Sequence, residues 1–116
     1  MSIIVKHSTD IQKEEAHGGA GSRRLYIDQA QTPSGKIQGV THGWMPAGKS
    51  YDWHSHEGIE EIMYVIKGEG IVADRDGEYT YEPGTVCVFP SDVEHMIKNT
   101  SDTENEFVFV RIFING

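Results

Sequence analysis

Three of the chain's six histidines fall in two short windows that also hold its tightest functional spacing. The first window contains Gly48, His54, His56, the adjacent carboxylates Glu60 and Glu61, and Gly68. In a strand, residues i and i+2 face the same way with Cα atoms roughly 6.5–7 Å apart, so the imidazoles of His54 and His56 can reach one ion. A His-x-His pair alone also suits two surface histidines on an edge strand. The five-residue gap after Gly48, the carboxylate at Glu61 and the glycine seven residues beyond it make this window far more specific. The second window holds Gly84, Pro90, Asp92, His95 and Asn99. A strand that ends at Pro90 and restarts at His95 can bring a third imidazole to the same place. Neutral imidazoles with a carboxylate suit a divalent first-row ion: Mn, Fe, Co, Ni, Cu or Zn.

Composition says what must position these residues. Of 116 residues, 12 are Ile and 9 Val, against the single leucine Leu25 and five alanines. Side chains branched at Cβ lose freedom in helices and pack well on a pleated surface, so the chain is expected to be all-β. Strands are expected at 37–45, 50–54, 61–67, 70–74, 78–82, 86–89, 95–99 and 106–114, with Asp76-Gly77 as a tight hairpin turn. Eight or more short strands at this spacing point to a sandwich or barrel. Residues 1–36 read as an irregular arm with edge strands and 37–116 as the barrel, within one domain. In the arm, Ile3-Ile4-Val5 has strand character and 11–16 at most one helical turn. The glycine-rich run from His17 to Ser22 lacks the Lys-Ser/Thr of a phosphate loop and reads as a connection.

The formal charge is −8, and Arg23-Arg24 are the only adjacent basic residues, so nucleic acid is not expected as a partner. No stretch approaches a membrane span and the N-terminus lacks a secretory core, which makes a soluble cytoplasmic protein the expectation. The one cysteine, Cys87, sits among Val86, Val88 and Phe89 without basic neighbours and reads as a small buried hydrophobe.

The two windows resemble the two motifs of the cupin superfamily, small double-stranded β-helix (jelly-roll) barrels. Gly48, His54, His56, Glu61 and Gly68 match the first, G-x5-H-x-H-x4-E-x6-G. Gly84, Pro90, His95 and Asn99 match the second, G-x5-P-x-G-x2-H-x3-N, with Asp92 where the pattern has glycine. Asp tolerates turn conformations, so the fold is not threatened, and an additional carboxylate is expected near the site. The resemblance covers roughly residues 37–114. It implies that His54, His56, Glu61 and His95 ligate one divalent metal, with Glu61 preferred over Glu60 by the count to Gly68. An ion with one carboxylate leaves a local charge of +1, favourable to an anionic or chelating substrate. Small cupins are commonly dimers, so the resemblance also implies a homodimer.

Around that centre the expectations are less specific. If Glu61 points inward, so do Met63 and Val65, and Ile62, Tyr64 and Ile66 form an outer apolar face suited to a subunit contact. Arg111 shares a strand face with Phe107, Phe109 and Phe113; a rim or interface ion pair is the favoured reading, with binding of a substrate carboxylate as the other. His42 reads as a satisfied barrel histidine, or else as a pocket acid/base. Asn99 is expected to hold a strand end, and Glu57 to be a turn carboxylate. The leading functional expectation is a metal-dependent enzyme on a small, oxygen-rich anionic metabolite, a dioxygenase with Fe(II) or an isomerase or lyase with another ion. Glu57, Asp92, Tyr51 and His42 are candidate bases. The alternative is a non-catalytic module that binds or senses a small molecule.

Overall fold

A computed structural model describes residues 2–114, and two antiparallel sheets face each other across one core. Ten strands follow in order: β1 (Glu14–Ala16), β2 (Gly21–Asp28), β3 (Ile37–Met45), β4 (Ser50–His54), β5 (Ile59–Lys67), β6 (Gly70–Ala73), β7 (Glu78–Tyr81), β8 (Val86–Phe89), β9 (His95–Asn99) and β10 (Asn105–Phe113). The larger sheet runs β1-β2-β3-β10-β5-β8 and the smaller β4-β9-β6-β7. This is an all-β jelly roll, with only three short 3₁₀ turns besides among the described residues. No helix among the described residues is long and apolar enough to cross a membrane.

Period-two alternation explains which side chains fill the space between the sheets. On β5, Glu61, Met63 and Val65 are buried while Tyr64 and Ile66 are exposed; on β10, Phe107 and Phe109 point inward. Met45, Tyr51, Val72, Tyr81, Phe89 and Ile97 complete the core. Tyr81 and Phe107 meet edge to face, with ring centroids 5.6 Å apart.

Four local details depart from the sequence reading. Ile3 and Val5 belong to no strand and lie exposed, and residues 14–16 form a strand rather than a helical turn. The β6–β7 connection spans residues 74–77, because Ala73 pairs with Glu78. Neither Asp76 nor Gly77 has a positive φ. Instead the Asp74 carboxylate accepts the backbone N–H groups of both, each at 2.9 Å, so a side-chain acceptor does what a left-handed backbone does in a two-residue turn. The glycine-rich segment also holds more structure than a plain connection. Gly21 opens β2, and an added Cβ there would lie 2.5 Å from the Trp44 carbonyl oxygen.

Two motif positions have direct backbone reasons. Gly68 has φ +97, and a Cβ there would lie 1.7 Å from Asn105 Oδ1. Asp92 adopts φ 66, so the residue standing in the pattern's glycine position uses the left-handed conformation that glycine would.

Asn99, fully buried, ties the sheets together at one end. Its Nδ2 donates to the carbonyls of Met45, Pro46 and Thr103 at 3.0, 3.1 and 2.7 Å, and its Oδ1 accepts from the Ser101 backbone and hydroxyl. Replacing it with alanine leaves buried carbonyls without donors. Asn99→Ala is expected to cost about 2–4 kcal/mol in urea unfolding, with the m-value unchanged.

Candidate functional site

The candidate site lies between the two sheets because each sheet contributes part of it. His54 and His95 come from the smaller sheet, where β4 and β9 place them directly opposite each other after a register irregularity. Their ring centroids are 4.4 Å apart. Glu61 comes from the larger sheet, and His56 from the loop just after β4. The i, i+2 relation of His54 and His56 therefore does not operate within one strand: β4 ends at His54 and the loop carries His56 inward.

These four residues each offer one donor atom, and the donors lie within 4.8 Å of one another. Glu61 Oε1 is 3.7 Å from His95 Nε2 and 3.9 Å from His56 Nε2. Atoms bound to one ion at about 2.1 Å sit roughly 3–4 Å apart, so the cluster fits a first-row ion with small adjustments. Backbone contacts orient two of the rings. Nδ1 of His54 donates to the Asp52 carbonyl at 2.6 Å, and Nδ1 of His95 to the Val93 carbonyl at 3.0 Å. A carbonyl only accepts, so the proton sits on Nδ1 and each Nε2 keeps a lone pair, the tautomer a metal ligand requires. His95 is 1% exposed, stacked on Phe89, and its Nε2 has no hydrogen-bond partner among the described residues. An orphaned buried lone pair aimed at a carboxylate is unfavourable unless something positive stands between them.

Electrostatics around Glu61 point the same way. The carboxylate is 4% exposed; burial pushes its pKa up, but His95, His56 and Arg111 outweigh that and hold it below the ordinary carboxylate value. The His56 imidazole is lowered, first by burial and then by its cationic and imidazole neighbours, with Glu61 opposing. Arg111 lies directly across from Glu61 in the β10–β5 register. Its Nη1 donates to Glu61 Oε2 at 3.4 Å and its Nε to Gln38 Oε1 at 2.7 Å. The two carboxylate oxygens are thus divided, one toward the imidazoles and one toward the guanidinium.

A cavity of about 260 Å³ opens beside the cluster. Arg111 lines it, so the favoured expectation of a rim or interface ion pair gives way to a cavity-facing guanidinium paired with the site's own carboxylate. Glu61 faces the imidazoles, and Glu60 does not join them. His42 lies away from the cavity: it stacks on Trp44, hydrogen-bonds Tyr26, and its Nε2 is 2.9 Å from Glu106. Glu57 and Asp92 are exposed and do not line the cavity, but Asp92 lies beside the donor cluster as expected, its backbone N–H donating to the His56 carbonyl at 3.1 Å and its carboxylate accepting from the Ser91 hydroxyl at 2.9 Å. Tyr51 lines it, but its hydroxyl is spent on the Trp44 carbonyl at 3.4 Å, and burial raises its pKa well above the phenol value. Cys87 is half-buried and raised by burial, as suits an unreactive thiol.

Sequence reading missed Gln38 and His17. Gln38 carries no motif signal. His17, also in the cavity wall, sits in the glycine-rich run; three small residues after a histidine were the available hint that the backbone bends there for a reason.

Comparison with known proteins adds independent findings. A family model described as a cupin domain matches residues 42–111. An oxalate-binding protein of Thermotoga maritima is 39% identical over 115 residues, covering 96% of this chain and 95% of the relative. Among solved structures, one described as a predicted oxalate decarboxylase from Thermotoga maritima superposes with a TM-score of 0.86 at 28% identity, over 96% of this chain and all of the other. KdgF from a Halomonas species shares the fold, with a TM-score of 0.80 at 15% identity over 96% and 94% of the two chains.

Removing the carboxylate separates the two glutamates. In competition with a colorimetric chelator for Co(II) or Zn(II), Glu61→Ala is expected to weaken binding roughly a hundredfold or more. Glu60→Ala should stay within about threefold of the parent.

Proposed function

Because the chain belongs to the cupin family, we propose that it holds one divalent first-row ion on His54, His56, Glu61 and His95 and uses it to bind a small chelating dianion of the oxalate type. One observation carries this reading: Arg111 stands against the same carboxylate that faces the imidazoles. The bound ion would supply a Lewis-acidic point for two ligand oxygens. Together with Arg111 it would leave two positive charges after Glu61 is balanced, instead of the single one expected from the ligand set alone. A dianion matches that charge, and the planar guanidinium suits a carboxylate edge. The oxalate-binding relative, similar over nearly the whole chain, supports the same ligand chemistry.

Binding is placed ahead of turnover because the relative similar over nearly the whole chain is an oxalate-binding protein. Among the described residues lining the cavity, Glu61 is the single carboxylate, with one oxygen toward the imidazoles and one toward Arg111. Of the bases expected from sequence, Glu57, Asp92 and His42 do not line it and burial holds Tyr51 protonated. An enzymatic reading stands second.

The same proposal includes a homodimer. Ile62 pairs with Val88 and Tyr64 with Val86 across β5 and β8, and Tyr64, Ile66, Val86 and Val88 are 39–61% exposed. This is a contiguous apolar face at a sheet edge, of a kind that soluble monomers rarely leave uncovered.

Titration calorimetry with oxalate should show binding to metal-loaded protein and none to chelator-treated protein. Arg111→Ala, measured at saturating metal, should weaken oxalate at least tenfold. Oxalate consumption by the loaded protein, with or without O₂ uptake, would displace the binding reading in favour of an enzyme. Sedimentation should give twice the chain's mass for the parent, and Tyr64→Lys should move it toward the monomer.

A further inference from the structure

The cavity wall includes a hairpin that lies outside the matched cupin residues 42–111. Strands β1 and β2 pair with Ala16 opposite Gly21, so residues 17–20 form their connecting loop. Gly21 seats this hairpin tightly, since a Cβ there would lie 2.5 Å from the Trp44 carbonyl oxygen and 3.1 Å from the Tyr51 hydroxyl. Within the loop, His17, Gly18 and Gly19 have φ values of 52, 64 and 91. Among the described residues only His17 and Asp92 combine a side chain with a positive φ, and Asp92 occupies a glycine position of the motif. His17 has no such reason. A side chain held on an unfavourable backbone points to a use for that side chain.

The His17 ring lies flat on Tyr51, with centroids 3.7 Å apart and planes 15° apart, and its centroid is 6.1 Å from that of His54. The residue is exposed and lines the cavity, yet no protein group among the described residues hydrogen-bonds its ring nitrogens. A neutral imidazole there presents one N–H and one lone pair.

We infer that His17 is a specificity-determining ligand contact, donating its ring N–H to the outer oxygens of the dianion. This inference rests on the binding reading above. A chelating dicarboxylate gives two oxygens to an ion and leaves two directed away from it. Arg111 lines the cavity from β10, and His17 lines it from the hairpin. Monoanions that lack the second carboxylate would forgo part of this contact, which gives the hairpin a role in selecting the ligand.

The test uses full-length protein reconstituted with Mn(II) and titrated calorimetrically with oxalate, malonate and glyoxylate. His17→Phe keeps an aromatic ring for Tyr51 but has no donor; His17→Gln restores a donor without the ring. The expected result is about tenfold weaker oxalate binding for His17→Phe, with His17→Gln within about threefold of the parent. Both should retain one Mn(II) per chain and the parent's thermal midpoint. Oxalate affinity unchanged in His17→Phe, or lost equally in His17→Gln, overturns the contact while leaving the binding proposal intact. Failure of the parent to bind any of the three anions overturns both.

Discussion

A carboxylate buried between two sheets cannot stay charged without partners, and Glu61 is the residue around which the others are arranged. The β5–β10 register sets Arg111 opposite it, and the β4–β9 register sets His54 beside His95 on the facing sheet. Neither sheet alone gathers the cluster. The donor set therefore depends on sandwich closure, and closure depends on the aromatic and β-branched core beneath it together with Asn99, which ties the strand ends together.

The same arrangement divides the molecule's charge into two regimes. The chain as a whole is strongly acidic, at −8, yet its cavity is lined by Arg23, Arg111 and histidines around one engaged carboxylate. The acidic excess of the whole chain is therefore not shared by the cavity wall. Arg23 is already paired with Glu14 at 3.0 Å, whereas Arg111 makes its contacts inside the site, so Arg111 carries the electrostatic part of the proposed recognition.

Much of this architecture was legible in the sequence because strand alternation and motif spacing are local signals. The count from Gly48 to Gly68 distinguished Glu61 from Glu60, and strand limits at 37–45, 50–54, 86–89 and 95–99 coincide with β3, β4, β8 and β9. What escaped depends on contacts between distant segments. Whether Arg111 faces the cavity is decided by its register against Glu61 and by Gln38, 73 residues away. Whether His42 faces it is decided by partners on β2 and β10. His17 was hidden for a further reason: glycine-rich sequence announces that the chain bends, while the ring it brings to the cavity is visible only once the hairpin has been seated on Tyr51.

Whether the four donors share one ion is the central question for this site. Anomalous diffraction from crystals of protein reconstituted with a first-row metal addresses this directly. One strong peak per chain is expected, about 2.0–2.2 Å from Nε2 of His54, His56 and His95 and from a Glu61 oxygen. An absence of any peak after reconstitution, or an ion held elsewhere while Glu61 stays turned to Arg111 alone, would contradict a shared ion.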